Sequence, residues 1–532
     1  MRRWTFCLLA AVLGLLPWGR VAAEDVSEEA EVELFPTCEP VAEQLDKYAY
    51  LKALSLDLRG VVPSLEEYES LDALDDVPEE WIEQWLGSEE FADRVVRKHR
   101  ELIWNNVDRT RMHSVRSRLS TSSGVYWQRN RSTGYRGDAV SCDVDATEPA
   151  EPGPDGEIVT TVDEDGNNIE GWVWATPYWS PDNPVKICAF DEQDALYSAV
   201  GTDCGTLDGQ LELDCGCGPD MRWCSAGSIQ LPITRAISKD VELRIAKMVL
   251  EDQSYLELLT GSKAFVNGPL LYFLRHQTEI RGQSSFQEFG IDLVGLPELS
   301  YSDDDTWLEV DLGPEHSGIF TSPVYLMRFG TNRARANRFY NAFLCQPFQA
   351  PVGGIPTSDE EDLPTMDLQA RAGCKYCHGI LEPSAAYWGR WMQGGTGHLE
   401  EESFAAFDED CERCAVTDEP CSDTCDDHYL TGFVAYDQIP YLGWLKSYEF
   451  LREDHEANVE FGPSKLVTMG VADGRLPQCV VETASQWLLG AQSEELDVDV
   501  VEQWVAGFQD SDFRYSELVR SIVTSESYRR AR

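Results

Sequence analysis

The sequence predicts a mainly α-helical protein, in which helical modules surround one short Cys/His segment and are interrupted by two irregular or short-stranded insertions. Three observations support this fold class. Apolar residues recur at steps of three and four positions over most of the chain, which is the period of a helix with one buried face. Proline, glycine and acidic residues are concentrated in two segments that also hold most of the cysteines. With 42% hydrophobic and 11% aromatic residues, a chain of 532 residues can bury several cores.

The first 23 residues are typical of a secretory signal peptide. Arg2 and Arg3 give a positive start, residues 6–16 are an apolar run too short to span a membrane, and residues 21–23 are a small-residue cleavage site. A membrane anchor is the alternative interpretation. No later segment approaches the roughly 18 consecutive apolar residues of a membrane span. We therefore expect export to the periplasm, the cell surface or the medium, with no membrane insertion after cleavage.

Residues 41–107 have a helical pattern and open the first module after an acidic leader at residues 24–34. A turn at residues 60–63 is followed by Ser64, a typical N-cap, with Glu67 three positions later. Pro78 and the two glutamates after it are a typical helix start. These signals predict an N-terminal module made of helices.

The rest of the chain alternates helical patterns with two acidic, cysteine-rich insertions, for which we expect short strands or loops held by disulfides. Helical patterns return in residues 238–274, 323–344 and 462–532. The predicted order is a signal peptide (1–23), an N-terminal helical module (24–130), a first insertion (131–225), a central helical module (226–345), a cofactor-attachment segment (346–399), a second insertion (400–430) and a C-terminal helical module (431–532).

The chain is strongly acidic, with 43 basic and 94 acidic residues and a formal net charge of -51. Such a surface repels phosphate backbones and anionic lipids, which argues against nucleic acid and membrane surfaces as partners. Cationic proteins, sugars and calcium are electrostatically allowed. The charge does not choose among them, and solubility alone is a sufficient reason for it. The oligomeric state is open.

The motif Cys374-Lys375-Tyr376-Cys377-His378 has the pattern C-x-x-C-H, through which a c-type haem is attached. Two thiols must reach the two vinyl groups on one edge of a porphyrin, and an imidazole must lie under the iron. Positions three and four apart share a helix face, so that Cys374, Cys377 and His378 can point at one ring. The motif predicts haem c, with Cys374 and Cys377 as covalent attachments and His378 as the proximal axial iron ligand.

Two other interpretations of the motif stay open, namely a disulfide between its cysteines and part of a zinc site. A structural zinc ion needs about four ligands. Between Cys345 and the motif the chain supplies no cysteine or histidine, which weakens the zinc interpretation. The export signal favours haem, because c-type attachment takes place outside the cytoplasm.

Disulfides are expected for the remaining cysteines of an exported chain. Without Cys7 in the signal and without the motif pair, 13 of the 16 cysteines remain. This odd number requires one thiol that is unpaired, binds a metal or joins another chain. Four cysteines form the pattern C-x2-C-x6-C-x3-C, namely Cys411, Cys414, Cys421 and Cys425. The six-residue gap is short for a zinc ribbon and favours two disulfides, while the crowded aspartates leave calcium as an alternative to a solvated face.

The segment RAGCKYCHGILEPSAAYWGRW resembles the haem segment of the planctomycete-type cytochrome c family, in which an acidic residue and proline follow the attachment motif. LKALSLDLRGVVPSLEEYESL is similar to the family's N-terminal module, and segments in 251–345 and 476–529 resemble its central and C-terminal modules. The resemblance implies a secreted, multi-module protein with one haem, whose modules have no settled biochemical role. Typical members carry Asp-Pro where this chain has Glu382-Pro383. The insertions at 131–225 and 400–430 lie outside the family pattern, so the family's partners and substrates do not transfer.

The second axial position of the iron has several candidate ligands in the sequence. A thioether suits electron transfer because it raises the reduction potential, whereas an open position suits small-molecule chemistry. The sulfur candidates are Met469 and Met392. The histidine candidates are His398, His428 and His455. Core packing or surface exposure is the ordinary alternative for each of them.

Aromatic and basic residues just after the motif are candidates for the haem environment. Trp388, with Tyr387 and Trp391, could wall the haem edge, and an aromatic core is the alternative. Arg390 could pair with a haem propionate or neutralise a nearby glutamate.

The sequence therefore predicts an exported c-type cytochrome that transfers electrons, coupled to an oxidation outside the cytoplasm and served by a redox partner of unknown identity, for which a cationic protein is electrostatically allowed. With an open distal iron site, the same protein would be a haem-dependent oxidoreductase. The competing class is a non-redox secreted binding or surface protein, in which C-x-x-C-H is structural and the acidic insertions bind calcium or a partner. No catalytic residue is identified, since the sequence has no phosphate loop, nucleophile elbow or H-E-x-x-H motif.

Overall fold

The computed structural model describes residues 44–107, 111–113, 117–128, 139–140, 142, 150, 158–162, 164, 166, 168–205, 209, 212–276, 289–348, 365–417, 419–490 and 496–530. Helices dominate and strands are short, which confirms the mainly α fold class. The helices are α1 (Lys47–Leu58), α2 (Leu65–Asp72), α3 (Glu79–Leu86), α4 (Glu89–Ile103), α5 (Ala189–Glu192), α6 (Gln230–Leu250), α7 (Tyr255–Thr260), α8 (Gly268–His276), α9 (Pro323–Arg328), α10 (Asn332–Phe343), α11 (Lys375–Ala385), α12 (Glu409–Thr417), α13 (Asp423–His428), α14 (Glu453–Ala472), α15 (Arg475–Leu489), α16 (Val498–Asp510), α17 (Tyr515–Val523) and α18 (Glu526–Arg530). The strands are β1 (Arg118–Ser122), β2 (Val125–Gln128), β3 (Ala139–Val140), β4 (Thr161–Val162), β5 (Asn168–Ile169), β6 (Trp172–Ala175), β7 (Val185–Cys188), β8 (Ser225–Ala226), β9 (Lys263–Val266) and β10 (Leu308–Asp311).

The N-terminal helices begin at the predicted signals. Ser64 and Glu67 form a capping box at α2, in which each side chain accepts a hydrogen bond from the backbone N–H of the other. The helical pattern that starts at Pro78 forms two helices. Gly87 ends α3, and Ser88 starts α4 by accepting a backbone hydrogen bond with its hydroxyl.

The central module contains a strand pair that the helical pattern did not predict. Residues 238–274 form part of α6, then α7, β9 and α8. In β9, Ala264 and Val266 are buried while Lys263 is exposed, so its side chains alternate with a period of two. β9 pairs antiparallel with β10, and the helical pattern of residues 323–344 is divided between α9 and α10.

The first insertion forms short sheets, as expected from its composition. One sheet has the strand order β6-β7-β2-β1-β8, and another has the order β3-β5-β4. β1 and β2 lie at residues 118–128, inside the range that the sequence assigned to the N-terminal helical module. Three disulfides crosslink this part of the chain: Cys142–Cys188, Cys204–Cys215 and Cys217–Cys224.

Most of the described helices share one hydrophobic core. It takes buried residues from α1, α4, α6, α10, α15 and α17, which brings the N-terminal, central and C-terminal helices together. Two hydrogen bonds connect the first helix with the last two: the Tyr50 hydroxyl donates to the carbonyl of Val523 on α17, and the Tyr528 hydroxyl of α18 donates to the Asp57 carboxylate. The helix that carries the C-x-x-C-H motif packs against this core.

Several predictions fall outside the described residues. These are the signal peptide at residues 1–23, the acidic leader, Cys7 and Cys38. Among the residues that the structure describes, no helix is both long and apolar enough to cross a bilayer.

Candidate haem-attachment site

The motif lies at the start of α11, on the face through which that helix packs into the protein. Leu381 and Ala385 on this face are buried in the main core. One and two turns earlier, Cys374, Cys377 and His378 continue the same face and are half-buried. These five residues form one stripe at helical spacing. Its first part, which carries the motif, lies outside the packed core.

The cysteines are in two chemical states. Six disulfides take twelve of the fourteen cysteines that the structure describes, and three of these lie outside the first insertion: Cys345–Cys479, Cys411–Cys425 and Cys414–Cys421. Cys374 and Cys377 keep their thiols. The odd cysteine expected from the count is Cys38, which lies outside the described residues. The two motif cysteines are therefore outside disulfides in a chain whose other described cysteines are oxidised.

The imidazole of His378 is held through one of its two ring nitrogens. Its Nδ1 lies 2.5 Å from Oε1 of Glu382, one helical turn later on α11. The same Oε1 accepts a hydrogen bond of 2.6 Å from Nε of Arg333, on α10. An ionised carboxylate only accepts hydrogen bonds, so Nδ1 carries the hydrogen and the lone pair of a neutral ring is on Nε2.

This donor set fits a c-type haem. Ligating histidines usually donate the second ring N–H to a carboxylate, carbonyl or water, which fixes the tautomer and the ring orientation. Glu382 does this for His378, and leaves Nε2 as the ligand atom. Cys374 and Cys377 lie on the same face of the helix at the spacing that thioether attachment requires.

A cavity of about 430 Å³ lies beside Glu382. Residues 366–369 and 371, which lead into the motif, form part of its lining, and residues 446–447 and 449–451 form another part. Arg371, three positions before the first motif cysteine, lines it, as does Met366. The volume is within the range of about 300–1,000 Å³ that is typical of small-molecule pockets.

The structure places Trp388 and Arg390 away from the haem roles predicted for them. Trp388 is fully buried in the core, where its indole N–H donates to the carbonyl of Phe320 and its ring stacks on Tyr325. The Arg390 guanidinium pairs with Glu460 at 2.7 Å. A haem propionate would have to displace that carboxylate, so the alternative role of neutralising a glutamate is the one observed.

The two methionines predicted as distal ligands are in different surroundings. Met392 is buried in a small cluster that also contains Leu399 and Tyr448. Met469 lies on α14 with 43% of its surface exposed, and its sulfur accepts a hydrogen bond from the Tyr387 hydroxyl at 3.1 Å. Neither of these contacts involves the motif.

The histidine candidates lie inside the fold or near its edge. His398 packs on Trp391 and His428 on Phe404, with ring centroids 5.0 and 4.9 Å apart. Burial, together with a nearby arginine charge, lowers the pKa of His398 to about 4 and keeps its imidazole neutral. His455 lies in the first turn of α14.

The second cysteine cluster forms the two disulfides that its spacing favoured. Cys411 pairs with Cys425 and Cys414 pairs with Cys421. All four sulfur atoms are therefore in S–S bonds, and none of them is a thiolate that could bind zinc.

The carboxylate and the arginine behind His378 were not identified as functional from the sequence. The signal for Glu382 was present, because positions 378 and 382 are one helical turn apart and must share a face. Arg333 could not be found in this way, because it comes from another helix, 49 positions away.

Comparisons with protein-family models, with curated proteins and with solved structures find no match to this chain. Its function therefore has to be inferred from the motif and its surroundings.

Proposed function

We propose that this protein is an exported c-type cytochrome, which carries one covalently attached haem and transfers electrons in an oxidation outside the cytoplasm. The division of the cysteines is the observation that carries the proposal: twelve described cysteines are paired, while the two of C-x-x-C-H keep their thiols on one helix face with His378. Cys374 and Cys377 would form the thioether bonds, and His378 Nε2 would ligate the iron. When bound, the haem supplies one-electron exchange.

The polypeptide would position the attached haem and exclude water from one side of it. α11 sets the three motif side chains on one face, and the core against Leu381 and Ala385 keeps that helix in place. Glu382 holds the imidazole ring in a single orientation. The half-buried position of the stripe means that one side of an attached ring would rest on protein while another part stays accessible for electron exchange.

The disulfides support the proposed export, and the net charge supports the proposed type of redox partner. Six disulfides are typical of a protein that matures in an oxidising compartment, where c-type attachment also takes place. A formal net charge of -51 favours a cationic redox partner. The resemblance to the planctomycete-type cytochrome c family is part of the same proposal.

In this proposal neither Met392 nor Met469 ligates the iron. Met392 is enclosed in its own apolar cluster, and the sulfur of Met469 is engaged by Tyr387. An open distal position would allow small-molecule chemistry at the iron, which would make the protein a haem-dependent oxidoreductase. Carbon monoxide binding to the reduced protein is the expected result, and a spectrum that carbon monoxide does not change would contradict it.

The deciding experiment is a visible spectrum of the protein produced with a cytochrome c maturation system. We expect a Soret band that stays with the polypeptide after extraction with acidic acetone, because thioether bonds survive this treatment. Colourless protein with the mass of the bare chain would reject the proposal and favour the non-redox binding class.

A further inference from the structure

Three side chains form a hydrogen-bonded chain behind the proposed iron ligand. His378 Nδ1 and Arg333 Nε are 2.5 and 2.6 Å from the same oxygen, Oε1 of Glu382. The Glu382 side chain is 17% exposed, whereas that of Arg333 is 53% exposed. The histidine–carboxylate contact is therefore the better shielded of the two, and Arg333 approaches it from the solvent side.

The shared oxygen of Glu382 mediates two opposite effects on the donor strength of His378 Nε2. A carboxylate that accepts the Nδ1 hydrogen gives the imidazole more negative character and makes Nε2 a stronger donor. Arg333 donates to the same oxygen and partly compensates its charge, which weakens its pull on the Nδ1 hydrogen. The strength of the ligand is thus set by two residues, one from α11 and one from α10.

We propose that Glu382 is a positioning residue, which makes His378 a strong donor to the haem iron and thereby keeps the reduction potential of the iron low. Arg333 limits this effect. The inference rests on the proposed haem function.

The physical reason is that a stronger donor stabilises Fe(III) more than Fe(II). Hydrogen bonding behind the axial ligand is one of the means by which a protein sets the potential of a haem. A thioether on the distal side would have the opposite effect, and both predicted methionines are engaged in other contacts, Met392 in its apolar cluster and Met469 with Tyr387. The site is therefore arranged for an iron that rests in the ferric state.

A purely structural interpretation is that the Arg333–Glu382 ion pair joins α10 to α11. Exposed pairs of this kind contribute about 0–1 kcal/mol. In that case removal of either partner would lower the stability slightly, and each substitution would shift the potential only by the small amount that loss of a nearby exposed charge produces.

The test is a redox titration of the matured wild-type protein and of two variants, Glu382→Gln and Arg333→Gln. Glu382→Gln removes the charged acceptor, so we expect at least a tenfold rise in the Fe(II)/Fe(III) ratio at a fixed potential, which is 59 mV for one electron. Arg333→Gln leaves the carboxylate to His378 alone, so its potential should move in the opposite direction, by about threefold or more in the same ratio.

Glu449→Gln is the matched control, because Glu449 lines the same cavity but hydrogen-bonds to Gln438. Its substitution removes a negative charge from the wall of that cavity without changing the acceptor of His378, and we expect a shift below about threefold. Glu382→Asp retains a carboxylate and should lie between wild type and Glu382→Gln. It replaces Glu382→Gln if that variant fails to mature.

The outcomes separate the two proposals. If the wild type carries haem but Glu382→Gln shifts no more than Glu449→Gln, or if Glu382→Gln and Arg333→Gln shift in the same direction, the inference is overturned while the haem function stands. If the wild type carries no covalent haem, the function itself has failed.

Discussion

Two C-x-x-C sequences lie at the starts of two helices in this protein, and their cysteines are in different oxidation states. On α12, Cys411 and Cys414 are both in disulfides. On α11, Cys374 and Cys377 have the same spacing but remain thiols, and His378 follows them directly. Spacing alone therefore does not define the function of a cysteine pair, because the outcome depends on whether the fold delivers partner sulfurs.

The partner sulfurs of α12 come from the next stretch of chain. Cys421 and Cys425 follow at separations of seven and fourteen positions, so closing these loops costs little entropy. The cysteine that precedes the α11 motif most closely among the described residues is Cys345. It is joined to Cys479, 134 positions away, and is thereby removed as a partner.

The largest expected effect comes from removing each cysteine pair in turn. Cys374→Ala with Cys377→Ala should abolish covalent haem completely, because no sulfur remains to bond the vinyl groups. Cys411→Ala with Cys414→Ala should leave a normal haem content in the protein that folds. Haem absorbance per polypeptide after acidic acetone extraction measures both. Equal loss of haem in the two double variants would mean that the α11 pair has no special role.

The next largest effect is expected from substitution of His378, the residue that distinguishes the two motifs. His378→Ala makes the α11 sequence C-x-x-C-A, which is the pattern of α12, where Ala415 follows Cys414. We expect haem to stay covalently attached through Cys374 and Cys377, while histidine ligation of the iron and the spectrum that depends on it are lost. A spectrum like that of the wild type would reject His378 as the axial ligand. The matched control is His455→Ala, which should leave the spectrum unchanged.

The disulfides should stabilise the fold according to the length of chain that they close. Chain entropy predicts that loss of Cys345–Cys479, with a separation of 134, costs about 5 kcal/mol, whereas loss of Cys411–Cys425, with a separation of 14, costs about 3 kcal/mol. Urea unfolding of Cys345→Ala with Cys479→Ala and of Cys411→Ala with Cys425→Ala measures the difference. The reverse order of stability would show that native packing, and not loop entropy, decides.

The smallest effect concerns Arg390, the residue that the sequence assigned to a haem propionate. Burial raises the pKa of Glu460, but hydrogen bonds from Arg390 and Tyr448 outweigh it and lower the pKa overall. A lowered carboxyl pKa stabilises the fold above its unfolded value of about 4.3 and ceases to do so as pH falls through the folded pKa. Glu460→Gln should therefore lose stability at pH 7, by less than about 1 kcal/mol at this half-exposed site.

The two proteins should become equally stable once the pH has fallen through the lowered pKa of folded Glu460, because Glu460 is then protonated in the wild type as well. Thermal unfolding at pH 7 and at low pH measures this convergence. A changed Soret band in Glu460→Gln would instead bring Arg390 back as a haem contact.

Local sequence signals were sufficient where the structure is set by neighbouring residues. The capping box of Ser64 and Glu67 and the disulfides of Cys411 and Cys414 are of this kind, since their partners lie within fourteen positions. The strand β9 was missed because its pairing with β10 joins residues more than 40 positions apart. Helical periodicity in residues 238–274 carried no information about that partner.

The sequence by itself determined the mainly helical architecture and the placing of two thiols and an imidazole on one helix face, because both follow from a period of 3.6 residues. Only the tertiary structure decided which side chains from other parts of the chain lie near that face and which are engaged elsewhere. It paired Arg390 with Glu460 and buried Trp388, and it brought Arg333 to Glu382 from another helix. Such contacts depend on how helices distant in the chain pack together, which local periodicity does not encode.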